Sequence, residues 1–215
     1  MSAPISDKPP LAAIFAPAGP HLSADERAFF RDADPFGFIL FARNCETPDQ
    51  IHALCDDLRN TLGRDCPVLI DQEGGRVRRY KGADWPQIGP AHDYGLAIEQ
   101  VGEAAAERLY NDMAELAAAL RDSGIDVNCA PVADLLRPET SQAIGDRAYS
   151  DDPGIAAQAC DRVCRACLDK GVTPVVKHLP GHGRAVVDPH DQLPHIDADL
   201  ATLRAKDFTV FQQLF

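Results

Sequence analysis

Five short apolar runs recur along the chain, separated by longer stretches with helical spacing. The runs are LAAIFA (11–16), FGFILF (36–41), PVLID (67–71), IDVNCAP (125–131) and VTPVVKH (172–178), and each reads as a strand. Helix signals fall between them. Ser23-Ala24-Asp25-Glu26 is a capping box. A second helix opens at Thr47, with Pro48 at its first position and Gln50 three residues after the cap, and runs to about Thr61. An alanine-rich stretch predicts one long helix over about 97–122, another covers about 154–170, and a short one about 198–205. The segment before Phe215 reads as leading into a sixth strand.

Strands that are nearly continuous apolar runs suit parallel strands covered by helices. Five βα units without a GxGxxG fingerprint leave an open doubly wound sheet or part of a (β/α)8 barrel. Polar residues favour the barrel. Asp71, Asn128, Lys177 and His178 all lie at or just past the C-terminal ends of strands, where a barrel gathers ligand-binding side chains on one rim. The predicted class is therefore α/β, a TIM-type barrel. A complete barrel takes about 250 residues, so residues 1–215 are expected to be the N-terminal portion of a single catalytic domain, covering its first five βα units.

Composition narrows the function classes. Hydrophobic residues at 45% and charged residues at 25% describe an ordinary globular chain. A net charge of −12 with no basic patch argues against nucleic acid as a partner. No basic n-region with an apolar run opens the chain, so no signal peptide is expected, and no stretch approaches eighteen apolar residues. Seven cysteines, an odd number without secreted-scaffold spacing, read as reduced thiols in a cytoplasmic protein. Cys160, Cys164 and Cys167 share one helical face, which is expected to pack against the sheet rather than hold a metal.

The candidate chemistry is concentrated late in the chain. His178, His182, His190 and His195 fall within eighteen residues, with Asp188 and Asp191 among them. In Asp188-Pro189-His190 the carboxylate can accept a hydrogen bond from one imidazole N–H and leave the other ring nitrogen facing substrate. DQEGGRVRR (71–79) sets two carboxylates and three arginines around a Gly-Gly turn, which can serve a ligand or simply pair Glu73 with Arg76. KHLPGHG (177–183) puts Lys177 and His178 at a strand end, and Pro180 with two glycines forbids a helical zinc pair between His178 and His182. A less regular metal site, for a metal-dependent hydrolase built on the His/Asp cluster, stays open.

These segments together, GFILFARN, DQEGGRVRR, IDVNCAPVADL, IGDRAYSDDP and KHLPGHG followed by DPH, resemble family 3 glycoside hydrolases, in particular the bacterial β-N-acetylglucosaminidases of cell-wall recycling. The resemblance runs from about residue 11 to the end of the sequence. It implies that Asp71, Arg79, Arg147, Lys177 and His178 grip the terminal sugar, and that Asp188 and His190 form an acid–base dyad on a mobile loop. It implies a substrate with β-1,4-linked N-acetylglucosamine on anhydro-N-acetylmuramic acid, with or without a peptide stem. No cofactor or metal is implied, and a monomer is expected. Where the family usually has Asp-Ser-His, RSFG and a phenylalanine, this chain has Asp188-Pro189-His190, RAYS and Leu179; both dyad side chains remain. The family's nucleophile is an aspartate on a later strand, and no residue here matches it. The 215 residues alone are accordingly expected to have little or no activity. A sugar-binding fragment and a phosphorylase of the same family are the remaining alternatives.

Overall fold

The computed structural model describes residues 9–215; most of the segment on which the reading of no signal peptide rests lies outside the described residues. The chain forms β1 (Leu11–Phe15), α1 (Ala24–Ala33), β2 (Pro35–Leu40), α2 (Pro48–Leu62) and β3 (Val68–Ile70). A small hairpin, β4 (Gln72–Gly74) and β5 (Val77–Arg78), leads to α3 (Ala91–Val101) and α4 (Glu103–Asp122). Then come β6 (Val127–Asn128), α5 (Pro153–Asp169), β7 (Thr173–Pro174), α6 (Leu200–Ala205) and α7 (Asp207–Leu214).

β1, β2, β3, β6 and β7 lie side by side in that order, all parallel. Spatial order follows chain order without reversal. A doubly wound sheet reverses at its switch point; steady progression is the arrangement of successive βα units in a (β/α)8 barrel. One face of the sheet, with Phe38, Leu40, Val68 and Ile70, is buried. It shares one hydrophobic core with Ile51, Leu54 and Leu58 of α2, Leu109, Met113, Leu116 and Leu120 of α4, and Val163 of α5. The alternate positions Ile39 and Leu69 are half-buried, and Phe36, near the start of β2, is exposed.

Caps form where the side chains called for them. The Ser23 hydroxyl accepts the Glu26 N–H at 3.1 Å while Glu26 accepts the Ser23 N–H at 3.0 Å. Thr47 accepts from Gln50 N–H, and α2 ends at Gly63 with φ +68°. Of the three cysteines on the expected packing face, Cys160 and Cys167 are buried in the core and Cys164 is half-buried; burial pushes the Cys167 thiol up to about 12.

Several boundaries differ from expectation. The long helix over 97–122 is two helices, starting at residue 91 and divided at Gly102, whose φ of +64° and ψ of −132° leave the helical region. The strands expected over 125–131 and 172–178 keep two ladder residues each; Pro131 has no N–H with which to extend the first, while Pro174 is itself a ladder residue, flanked by Thr173 and Val175 N–H groups that donate to Asp126 and Asn128. Pairing resumes at an isolated parallel bridge between Val132 and Lys177. The segment before Phe215, expected to lead into a sixth strand, forms helix α7, whose Val210 and Phe211 are buried in the core. Among the described residues no helix is long and apolar enough to cross a membrane.

Candidate active site

Past the C-terminal end of β3, Asp71 leads into the β4–β5 hairpin. The hairpin is tied to the sheet by the buried Asn128, whose amide donates to the Gln72 carbonyl at 3.0 Å and accepts the Gln72 N–H at 3.1 Å. Asn128 is thus used in positioning rather than on the open rim. The turn needs its glycines. Gly74 and Gly75 have φ of +103° and +51°, and a Cβ on Gly74 would come within 2.8 Å of the Gly89 carbonyl. The result sends Glu73 and Arg79 toward the same cleft as Asp71.

Lys177 is placed by the bridge to Val132, with its N–H donating to the Pro131 carbonyl at 3.0 Å. Its ammonium meets Asp71 Oδ1 at 2.7 Å and Glu73 Oε1 at 2.6 Å. Arg79 Nη2 donates to Asp71 Oδ2 at 2.9 Å and its guanidinium lies 5.5 Å from the centre of the Phe41 ring. Arg147, on the loop between β6 and α5, grips Glu73 with Nε and Nη2, both at 2.8 Å. Lys177, Arg79 and Arg147 therefore oppose Asp71 and Glu73, three cations against two carboxylates.

Burial raises the Asp71 carboxyl, but the Lys177 charge and hydrogen bonds from Lys177 and Arg79 outweigh it and hold the group below its ordinary value. For Arg147, burial pulls the guanidinium down and the Glu73 pair more than restores it. Glu73 does not pair with Arg76, the alternative its spacing suggested. Arg76 reaches Asp146 at 2.8 Å instead.

His178 follows Lys177 and sets its Nδ1 2.6 Å from Asp134 Oδ2. His182 packs edge-on against it, ring centroids 6.0 Å apart. The chain then runs as an irregular loop to Asp199, closing at its stem against the β6–α5 loop. Thr140 Oγ1 donates to the Gly183 carbonyl at 2.6 Å, and Ser141 N–H to the Ala185 carbonyl at 2.8 Å. At the loop tip, His190 Nδ1 lies 2.7 Å from Asp188 Oδ1, which also accepts the His190 N–H at 2.9 Å. These bonds hold the Asp188 carboxyl below its ordinary value. The His190 side chain is 87% exposed, so its Nε2 is free to meet a ligand.

All seven residues singled out for the site, Asp71, Arg79, Arg147, Lys177, His178, Asp188 and His190, line one cleft of about 590 Å³. His195 and Asp191 are exposed and do not line it. Glu73 and Asp134, which sequence spacing did not assign to the site, are integral to its frame. Asp134 did leave a signal: a lone acid in the apolar run PVADLL must find a partner if buried. Among the described residues no group of three His, Cys, Asp or Glu side chains is arranged to hold a metal ion.

A parallel α/β chain with a cleft of cations, carboxylates and imidazoles at its strand ends has the frame of successive βα units of a barrel, with its polar groups gathered on one rim. The model of the glycosyl hydrolase family 3 N-terminal domain matches residues 14–215, and the chain belongs to that family. A β-hexosaminidase of Methylococcus capsulatus is 38% identical over 201 residues, which cover 94% of this chain and 58% of the relative. One from Xanthomonas oryzae pv. oryzae is 35% identical over 194 residues, 90% of this chain and 57% of that protein. The chain thus spans less than two thirds of the length of these curated relatives. Among solved structures, NagZ from Neisseria gonorrhoeae in complex with N-trifluoroacetyl-D-glucosamine superposes with a TM-score of 0.90 at 27% identity, over 96% of this chain and 60% of that one. The family 3 β-N-acetylglucosaminidase from Paenibacillus sp. str. FPU-7 gives 0.86 at 27% identity, over 94% and 38%.

Proposed function

We propose that this chain forms the sugar-binding and acid–base half of a retaining β-N-acetylglucosaminidase. Its substrate would be a peptidoglycan fragment with non-reducing β-1,4-linked N-acetylglucosamine on anhydro-N-acetylmuramic acid. The observation that carries the reading is the Asp188–His190 pair at the mouth of a cleft whose floor is Asp71, Lys177, Arg147 and His178. The floor groups offer donors and acceptors to sugar hydroxyls and an N-acetyl group. Support also comes from the β-hexosaminidases among the relatives and from the glucosamine derivative bound to one structural neighbour.

Asp188 orients the ring and stabilises its cation. His190 Nε2 then gives a proton to the leaving oxygen and later takes one from water. Because His190 stands exposed, the loop tip must fold over the sugar to bring Nε2 to the glycosidic bond. A retaining mechanism needs an attacking carboxylate about 5 Å away across the ring. Asp71 and Glu73 are each clamped by two cations and Asp134 by His178, so in this reading the nucleophile comes from outside the 215 residues. The setting is the cytoplasm, in keeping with seven free thiols, and the acting species a monomer with no resident cofactor.

The test is release of 4-nitrophenol from its N-acetyl-β-glucosaminide by the full-length protein, with His190→Ala beside it, in phosphate and in phosphate-free buffer. Turnover in both buffers that falls by about 10²–10⁴-fold in the variant is expected. Undiminished turnover by the variant would remove His190 from the mechanism. Dependence on phosphate, with a sugar phosphate as product, would make the enzyme a phosphorylase.

A further inference from the structure

Asp134 is buried, in a stretch from Ala133 to Leu135 that is otherwise apolar and equally buried, and both of its carboxylate oxygens are used. Oδ1 accepts two backbone N–H groups, from His182 at 2.6 Å and from His178 at 3.3 Å. Those donors are fixed by chemistry, so the Oδ1 edge can only accept. Oδ2 faces His178 Nδ1 at 2.6 Å. A carboxylate there has nothing to donate, so the contact is made by an Nδ1–H.

We propose that Asp134 is a positioning residue that holds His178 as its Nδ1–H tautomer and presents Nε2 to the cleft as a hydrogen-bond acceptor. The same carboxylate anchors the first residue of the stem that leads to the Asp188–His190 tip, so one buried group sets both a sugar contact and the base of the dyad loop. The role in sugar binding rests on the function proposed above; the tautomer does not.

Asp134→Asn is nearly isosteric and separates the two roles. Its amide oxygen can keep the two backbone N–H groups, which leaves the NH₂ facing His178 Nδ1. A donor there forces the imidazole proton to Nε2 and turns the ring's outward face from acceptor to donor. The first measurement is a long-range ¹H–¹⁵N correlation spectrum of histidine-labelled full-length protein, at a pH where the ring is neutral, with His178→Ala identifying the signal. The Nδ1–H pattern is expected in the wild type and the Nε2–H pattern in Asp134→Asn. An Nε2–H pattern in the wild type overturns the proposal even if the variant does not fold, and so does a pattern unchanged by the substitution.

The second measurement is kinetic. Asp134→Asn is expected to lower kcat/KM by roughly 10–100-fold, the range found for partners that orient metal-bound histidines, and mostly through KM, since a hydroxyl contact serves ground state and transition state alike. In a His178→Ala background the substitution should cost little, because its target is gone. An equal loss in that background means that Asp134 acts other than through His178. Absence of any turnover by the wild type would refute the glycosidase reading, while the tautomer spectra would still decide the role of Asp134.

Discussion

Lys177 sits between two carboxylates, and its removal tests whether the cleft is a balanced charge frame. Lys177→Met keeps the length of the stem and deletes the ammonium that touches Asp71 at 2.7 Å and Glu73 at 2.6 Å. The lysine side chain is 13% exposed and those of Asp71 and Glu73 are 16% and 8% exposed, so water can replace little of what is lost. Removing one partner of a fully buried ion pair costs about 3–5 kcal/mol. Here the loss is softened, because Glu73 keeps two bonds to Arg147 and Asp71 keeps one to Arg79. An expected cost of about 2 kcal/mol follows, below the range for an unrelieved buried charge. For a domain of about 150–250 residues that corresponds to a fall in Tm of about 4–8 °C. Differential scanning calorimetry of the full-length protein measures it, with Arg165→Met as a comparison. Arg165 pairs with Asp161 on the open face of α5 and its loss should leave Tm unmoved. If Lys177→Met also leaves Tm unmoved, the three cations and two carboxylates are not a coupled frame, and the assignment of Lys177 to structure as well as to sugar binding fails.

The same pair predicts a pH signature. Asp71 is held below its unfolded value of 3.8, so its contribution to stability is present above that pH and is lost as pH falls through the folded value. Lys177→Met removes the leading cause of the depression; the stability gap between wild type and variant should therefore narrow below about pH 4, read by urea denaturation at pH 7, 5 and 3. A gap that widens in acid would contradict the assignment. At the loop stem, a Cβ on Gly183 would fall 1.9 Å from the Leu135 carbonyl oxygen, whereas one on Gly19 would meet nothing within 4 Å. Gly183→Ala is expected to destabilise by about 1–3 kcal/mol or more through forced backbone displacement, and Gly19→Ala to be neutral, with thermal unfolding of the two variants as the check.

What could be read from the chain in advance was whatever depends on local pattern. Apolar runs located all five parallel strands, and Ser23, Thr47 and Pro48 located two helix starts, because capping and burial act within a few residues. The errors arise where a single residue interrupts a longer pattern. Gly102 divides a stretch whose alanine-rich periodicity continues on both sides, and Pro131 shortens a strand whose hydrophobicity does not change.

The site shows a different limit. Its seven expected residues were recognisable as polar groups past strand ends or as parts of family motifs, and the cleft gathers them all. Their partners were not recognisable. Glu73 is bound by Arg147 and Lys177, 74 and 104 positions away, while Arg76 stands only three positions from it and suits it equally well in sequence. Local spacing favours the near partner; the hairpin at Gly74–Gly75 turns Arg76 outward to Asp146 and leaves Glu73 to the distant pair. Such a site is assembled by topology, since adjacent parallel strands bring together groups that only the crossover helices separate in sequence. The groups that line the cleft can therefore be named from motifs, whereas the partners that hold them in place, Arg147 and Lys177 on Glu73 and His178 on Asp134, become visible only when the sheet order is known.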